Sequence, residues 1–465
     1  MNIADLKGKR ITVMGLGLQG GGTGTVRFLV RAGAYVTVTD LKSKKELAPS
    51  LEKLKGFKNI SFVFQQHRPE DFTKVDMVIK NPLIPWNNKQ VKLALEKKIP
   101  VEIDSSLFFK LCKNKIIGVT GTKGKTTTSS FIYNILKTAG KNPIKVGVGR
   151  VSVLDKLAKL KKDSIVVFEL SSWRLSALGK YKLSPEVAVI TNIYPDHLNY
   201  YKSMEKYIQD KKNIFLYQNK ENGCVINQDN EIIKGFEEEI KSRLIKFSKN
   251  KISGDEAIYI DNGIIYINNG VDEKKIVNVS DIKLKGEHNL ENVMAAIGAA
   301  WAVGVKTEII KKAVLDFKNI AHRLEFVREF SGVKYYNDTT ATTPEAALNA
   351  LKTFSEPIIL ICGGSDKNLD MHEFGKMIYE KVKGVIFLKG KATEKIISSI
   401  RKIDNSLDTE KFNKVESMEK AVEMAKNEAV PGDIVLLSPG AASFGIFTNE
   451  LDRGEKFREA VKNLK

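Results

Sequence analysis

Residues Gly118-Val119-Thr120-Gly121-Thr122-Lys123-Gly124-Lys125-Thr126-Thr127 lie between the short run Lys115-Ile116-Ile117 and a helical pattern from Thr128 to Ala139. Glycines in such a turn let backbone N–H groups face an anion, and the N-terminus of the helix adds positive potential. Lys125 is placed to reach outer phosphates and the Thr126 hydroxyl to ligate Mg²⁺. The expected guest is ATP, held by Gly121, Thr122, Lys123, Gly124, Lys125, Thr126 and Thr127. The glycines fall as G-x-x-G-x-x-G-K-T, because Val119 stands where the commoner loop has its first glycine.

Two further stretches follow strand patterns. Glu169-Leu170-Ser171-Ser172 succeeds Ser164-Ile165-Val166-Val167-Phe168, and Thr191 to His197 succeeds Val187-Ala188-Val189-Ile190. Open α/β sheets place ligands at this carboxyl edge, so Glu169 is expected to hold Mg²⁺, with Asp196 and His197 converging on the same phosphates. A second glycine loop, Gly15-Leu16-Gly17-Leu18-Gln19-Gly20, also follows a strand, and Asp40 ends the next one. That pattern suits NAD and equally a UDP-linked substrate, since either brings a pyrophosphate and a ribose. The continuation Gly21-Gly22-Thr23-Gly24 puts glycine where a helix should start, at about 1 kcal/mol each relative to alanine, with no local reason visible. An NAD-dependent oxidoreductase has no need of the ATP loop, and a nucleic-acid motor has none of the first loop. An enzyme joining a nucleotide-carried acid to an amine needs both.

The elements that must position these loops alternate strand and helix throughout the 465 residues, too many for one core. We expect three α/β domains in series: a Rossmann-like unit over 1–112, a P-loop ATPase-type unit over 113–319 and a Rossmann-like unit over 320–465. Ala257 to Ile260 and Ile264 to Ile267 flank Asn262-Gly263, a hairpin signal, and a helix is expected from Asn289 to Val303. The formal charge of +20 comes from scattered lysines without interleaved aromatics, which reads as solvated helix faces steering anionic substrates rather than as a nucleic-acid track. No run approaches the ~18 apolar residues of a membrane span. Three dispersed cysteines and the absence of an apolar leader before the first strand point to a cytoplasmic protein, expected to be a monomer.

Taken together, Gly15 to Gly20, Gly118 to Thr127, Glu169-Leu170-Ser171-Ser172, Asp196-His197, Gly286-Glu287-His288-Asn289-Leu290-Glu291-Asn292, His322-Arg323-Leu324-Glu325, and Leu437-Ser438-Pro439 with Ala442-Ser443-Phe444 resemble the Mur ligases. The resemblance is specifically to members that add glutamate to UDP-N-acetylmuramoyl-L-alanine in peptidoglycan synthesis. It implies UDP-substrate binding by Gly15, Gly17, Leu18, Gln19, Gly20 and Asp40; Arg150, which stands where the family pattern differs, is expected to answer the pyrophosphate instead. It places Asn289 and Asn292 near adenine, Arg323 near the phosphates and Asp338 near the ribose of ATP. It implies domain closure, an acyl phosphate intermediate, and two Mg²⁺ ions held among Thr126, Glu169, His197 and a Lys211 carbamylated by CO₂. Lys211 lies four residues after Tyr207 on one helical face, whereas Lys212 sits about 100° around. Lys125, Glu169, His197 and Lys211 are thus the expected catalytic set, and Thr342, Lys367, Ser443 and Phe444 the expected amino-acid site.

Some positions depart from the family pattern. Asp338-Thr339-Thr340-Ala341-Thr342-Thr343-Pro344 lacks a lysine at Thr340, and Glu450 stands where an aromatic often lines the pocket, an acid that would repel a dicarboxylate. Gly149-Arg150-Val151-Ser152 replaces Gly-Asn-Ile-Gly, and Asn81-Pro82-Leu83-Ile84-Pro85 replaces Ser-Pro-Gly. D-Glutamate is the expected amino acid; an L-glutamate-adding variant, another Mur ligase or a folylpolyglutamate synthase are the alternatives.

Overall fold

The computed structural model describes residues 1–18, 20–148, 152–284, 286–317, 321–406, 412 and 414–465. Its first sheet contains β1 (Arg10–Met14), β2 (Tyr35–Asp40), β3 (Ile60–Phe64), β4 (Met77–Lys80) and β5 (Val101–Glu102), all parallel, in the order β3-β2-β1-β4-β5. Order reverses beside β1, so the crevice at its carboxyl end, where Gly15 begins the loop, is the switch point at which such sheets bind ligands.

The second sheet has nine strands. They are β6 (Ile116–Thr120), β7 (Asn142–Val146), β8 (Ser164–Glu169), β9 (Val187–Ile190), β10 (Gly223–Asn227), β11 (Arg243–Ser248), β12 (Glu256–Asp261), β13 (Ile264–Asn269) and β14 (Glu273–Asn278). The order is β14-β13-β12-β11-β10-β9-β6-β8-β7. Strands β6, β8 and β9 are buried along their whole length, as parallel strands covered on both faces must be. The hairpin expected at Asn262-Gly263 joins antiparallel β12 and β13, both turn residues having positive φ (47° and 72°). One edge, β7, carries Pro143; the other, β14, carries the exposed Glu273, Lys274 and Lys275.

The third sheet contains β15 (Glu325–Phe330), β16 (Val333–Asn337), β17 (Ile358–Gly363), β18 (Val382–Leu388), β19 (Lys414–Val415) and β20 (Ile434–Leu437), ordered β15-β16-β20-β17-β18-β19. β15 and β16 pair antiparallel, and the other named pairs in this sheet are parallel. Each of the expected stretches 1–112, 113–319 and 320–465 holds one sheet. The chain packs as two units, however: Met1–Lys283 with Glu287–Phe317, and Leu284–Gly286 with Lys318–Lys465. Within the first unit the two sheets are joined by Arg27 Nη2 on Asp155 Oδ2 (2.8 Å), Trp86 Nε1 on Ser176 Oγ (3.2 Å) and Tyr181 Oη on Val101 O (2.8 Å). Among the described residues, no helix is long and apolar enough to cross a membrane.

Candidate active site

The phosphate loop is shaped by what its glycines must avoid. At Gly118 a Cβ would press on Pro185 and Leu170, at Gly121 it would collide with the Thr191 hydroxyl, and at Gly124 with the Asn292 amide. Gly121 and Gly124 also have φ of +152° and +83°, which favour glycine. Gly124 caps a helix spanning Lys125–Thr138, three residues earlier than the periodicity predicts, because the loop itself supplies the first turn. Thr122 N and Lys123 N donate to the backbone O and side-chain Oδ1 of Asn192, both at 2.8 Å, and Thr191 Oγ1 donates to Lys123 O (2.6 Å). Lys125 Nζ arches back to Gly121 O (2.7 Å) and Thr122 O (3.0 Å). Thr126 Oγ1 and Ser129 Oγ donate to the two oxygens of buried Glu169, at 3.0 and 2.6 Å. The helix Glu287–Ala302 lies alongside: Asn292 Oδ1 accepts from Thr128 Oγ1 (3.2 Å), and Asn292 Nδ2 donates to Asn289 Oδ1 (3.4 Å).

A second helix, Met204–Lys212, presents Tyr207 and Lys211 to the same loop. Tyr207 Oη and Thr122 Oγ1 share a hydrogen bond (3.1 Å); Lys211 Nζ lies 3.4 Å from Thr120 Oγ1 and 4.8 Å from the Tyr207 ring. Only 2% of Lys211 is exposed. Burial, then repulsion by Lys125, pushes its amine well below the usual lysine range, with Asp196 opposing. Lys212 is turned away, ion-paired to Glu239. His197 has a left-handed backbone (φ +54°), takes Asp196 Oδ1 on its N–H (2.9 Å) and packs its ring 4.6 Å from that of Trp173. Burial lowers its pKa, Asp196 opposes, and Lys125, Lys211 and Lys123 add repulsion.

At the first loop Gly15, Gly17 and Gly20 all have positive φ. Asp40 holds the loop shut on itself, its carboxylate accepting from Gly17 N (3.0 Å) and Lys42 N (2.9 Å), while Ser50 Oγ donates to Gly17 O (2.6 Å) and Leu18 is exposed. Gln19 and Arg150 lie outside the described residues. Two of the unexplained glycines find their reason here: a Cβ on Gly22 would collide with Leu16 O, and one on Gly24 with Ser152, which packs against this helix from the second sheet's side. Beside the loop, buried Lys80 ends β4; its Nζ donates to Ile84 O (2.8 Å) and lies 4.3 Å from the Trp86 ring, against which Lys180 also stacks at 4.6 Å.

In the second unit Asp338 accepts from Leu324 N (3.1 Å) and Ser438 Oγ (3.0 Å), fixing the positive-φ turn at His322 and Leu324 that carries Arg323. Burial drives its carboxyl up to about 7, against those two hydrogen bonds and Arg323. Lys367 Nζ donates to Thr342 Oγ1 (2.9 Å) and Thr342 O (3.1 Å). Ser365 pairs with Ala442 by two backbone bonds (2.9 and 3.1 Å), bringing Ser443 and Phe444 beside it.

Three family descriptions cover the chain: "Mur ligase MurD-like, N-terminal domain" over 9–102, "Mur ligase middle domain" over 119–300 and "Mur ligase, glutamate ligase domain" over 322–440. A protein named UDP-N-acetylmuramoylalanine--D-glutamate ligase from Roseiflexus sp. (strain RS-1) is 41% identical over 99% of both chains. Proteins of the same name from Borreliella afzelii (40%, all of both chains) and Clostridioides difficile (37%, 99% of this chain and 100% of that one) are similar over their full length. The chain belongs to the Mur ligase family. It is therefore an ATP-dependent, ADP-forming amide ligase. Its fold is shared with the UDP-N-acetylmuramate-alanine ligase MurC of Thermotoga maritima (TM-score 0.59, 19% identity, 98% of this chain and 100% of that one). It is shared too with the MurF ligase of that organism, solved in complex with ADP (TM-score 0.55, 18% identity, 99% and 97%).

In this Mur ligase the Thr126 hydroxyl and the Glu169 carboxylate form a hard-oxygen pair of the kind Mg²⁺ takes. No group of three or more His, Cys, Asp or Glu side chains gathers to hold a metal among the described residues, so such an ion would complete its shell with phosphate oxygens and water. His197 and an unmodified Lys211 offer nitrogen, which suits Mg²⁺ poorly. Thr120, Ser129, Trp173 and Tyr207 are contacts to which the sequence assigned no role, although Ser129, three residues after Thr126, and Tyr207, four before Lys211, had spacings that pointed to them. Arg453, wholly buried in the Mur ligase's second unit, gave no sequence signal at all.

Proposed function

We propose that this Mur ligase adds D-glutamate to UDP-N-acetylmuramoyl-L-alanine in peptidoglycan precursor synthesis, as a monomer in the cytoplasm. The observation that carries this reading is end-to-end similarity at 37–41% identity to proteins of that one name, with the loop, Glu169 and Lys211 gathered in a single cluster. The first glycine loop, through Gly15, Gly17, Leu18, Gln19, Gly20 and Asp40, takes the UDP moiety, with Arg150 near its pyrophosphate. Gly121 to Thr127 take the phosphates of ATP; Asn289 and Asn292 serve adenine, and Arg323 and Asp338 are further nucleotide contacts. Thr342, Lys367, Ser443 and Phe444 receive glutamate.

The γ-phosphoryl group passes to a carboxylate oxygen of the alanyl group, giving an acyl phosphate and ADP. The neutral amine of glutamate then adds to the acyl carbon, phosphate leaves, and an amide remains. Lys125, released from the loop carbonyls it now binds, neutralises charge on the moving phosphoryl group. Lys211, whose amine burial pushes well below the usual lysine range, is suited to add its Nζ to CO₂ and lose a proton, which would turn a poor Mg²⁺ ligand into an oxygen donor. Mg²⁺ at Thr126 and Glu169, and a second ion at His197 and the carbamate of Lys211, would supply positive charge to the phosphates. His197, its ring tilted against that of Trp173, orients substrate or water.

Phosphate release with UDP-N-acetylmuramoyl-L-alanine and a panel of D- and L-amino acids tests the reading. D-Glutamate is expected to give the highest rate, and Lys125→Ala and Glu169→Ala to lose about a thousandfold. Bound nicotinamide in the purified protein, or full ATP hydrolysis without a muramoyl acceptor, would overturn it.

A further inference from the structure

Behind the proposed glutamate site, the helix Glu450–Lys462 starts at Asn449, whose Oδ1 accepts from Leu451 N (2.9 Å) and Asp452 N (3.0 Å). Arg453 sits in its first turn and is 0% exposed. A cation there faces the positive end of the helix dipole, an unfavourable place that calls for a reason. Its guanidinium has only uncharged partners: Nε donates to Thr339 Oγ1 (3.0 Å), Nη2 to Thr339 O (2.9 Å) and Nη1 to Ala441 O (3.2 Å). Among the described residues, Arg453 makes no ion pair. The helix cannot retreat, since a side chain at Gly454 would collide with His322 and Gly454 O is held by Asn337 Nδ2 (3.2 Å). Thr339 Oγ1 in turn donates to Glu450 O (2.8 Å).

The two segments that Arg453 bridges, 339–342 and 441–444, carry Thr342, Ser443 and Phe444. Arg453 also lines a narrow recess together with Gly364, Ser443 and Phe444. Lys367, bonded to Thr342, feels the same charges: withdrawal from water lowers its pKa, Glu450 opposes this and Arg453 adds repulsion. Burial lowers Arg453 as well, to about 9, against the pull of Glu450. Two cations and one acid therefore act on one pocket. A buried guanidinium without an ion-paired partner is costly, and an acidic side chain arriving beside it would offset that cost. Glu450, which by sequence would repel a dicarboxylate, stands against two positive charges and leaves the group net cationic.

We propose that Arg453 is a positioning and specificity-determining residue of the amino-acid site. It ties the 339–342 and 441–444 segments into place and supplies the buried positive potential that selects an acidic side chain, with Glu450 setting the strength of that potential. This rests on the reading of the pocket as a glutamate site.

The test is steady-state kinetics with D-glutamate and its neutral isostere D-glutamine, on wild type, R453Q, R453K and E450Q, with ATP and the muramoyl substrate saturating. R453Q is expected to raise KM for glutamate at least about tenfold with a smaller change in kcat, and to lower the preference for glutamate over glutamine by a similar factor. R453K should keep most of that preference, and E450Q should lower KM for glutamate and steepen its salt dependence. A purely structural role would change both amino acids alike. Should R453Q fail to fold, E450Q decides: an unchanged glutamate KM overturns the inference. Unchanged discrimination in a folded R453Q overturns it too. A wild-type enzyme that prefers a neutral amino acid defeats the glutamate reading itself, and a glutamate-preferring enzyme with indifferent variants defeats the inference alone.

Discussion

Lys211 is the side chain whose chemistry depends most on its surroundings. Among the described residues its hydrogen-bond partner is the Thr120 hydroxyl, its cover is Tyr207, and the nearby Lys125 discourages a second positive charge. With ¹³C-labelled bicarbonate, a carbamate carbonyl resonance is expected in the wild type and not in Lys211→Ala, which should lose about a thousandfold in phosphate release. Detection of the resonance in the Ala variant would reassign the modified amine. The loop that flanks Lys211 was readable from one stretch of chain, because glycine, lysine and threonine act there through local backbone geometry. Arg453 was not: in Leu451-Asp452-Arg453-Gly454 it looks like any charged residue near a helix start. Only the fold shows that Thr339 and Ala441, distant in sequence, enclose it.

Among the elements, the helix Gly21–Arg31 shows how a local rule yields to a distant neighbour. Four glycine and threonine residues weaken its first turn, yet Gly22 and Gly24 each leave room for something else, Leu16 O and Ser152 respectively. Gly24→Ala is expected to destabilise the first unit by about 1–3 kcal/mol and to raise KM for the UDP substrate, by overpacking against Ser152. Gly21→Ala has open space around it and should stabilise by up to about 1 kcal/mol. Chemical denaturation followed by tryptophan fluorescence distinguishes the two. All three tryptophans, Trp86, Trp173 and Trp301, belong to the first unit, so the signal reports that unit alone. The alternation of strands and helices, and the Asn262-Gly263 hairpin, were legible because period and turn chemistry are local. The reason for Gly24 lay about 130 residues away, at Ser152, beyond the reach of any window.

For the molecule as a whole, charge sets two expectations. A net charge of +20 attracts polyanionic substrates, so kcat/KM for ATP and for the UDP substrate should fall as ionic strength rises. Lys80 tests the other side of that excess, because burial, then Lys180, lowers its pKa to about 8, with Asp104 opposing. Between about 8 and the ordinary value of 10.5 the folded chain has released this proton while the unfolded chain keeps it, so Lys80 makes stability rise with pH across that window. Below it the burial penalty is fully present, on the order of 3 kcal/mol. Lys80→Met should therefore be more stable than wild type near neutrality, and the gap should narrow in alkaline buffer; a gap independent of pH would contradict this. Finally, the nine-stranded sheet ends on one side in a strand whose Pro143 has no N–H to offer, and on the other in a strand studded with Glu273, Lys274 and Lys275. Neither rim makes a good template for a foreign strand, which favours dispersal over fibril growth in concentrated solution. Replacing Pro143 and both lysines with valine would remove those guards and should bring on thioflavin-positive assembly.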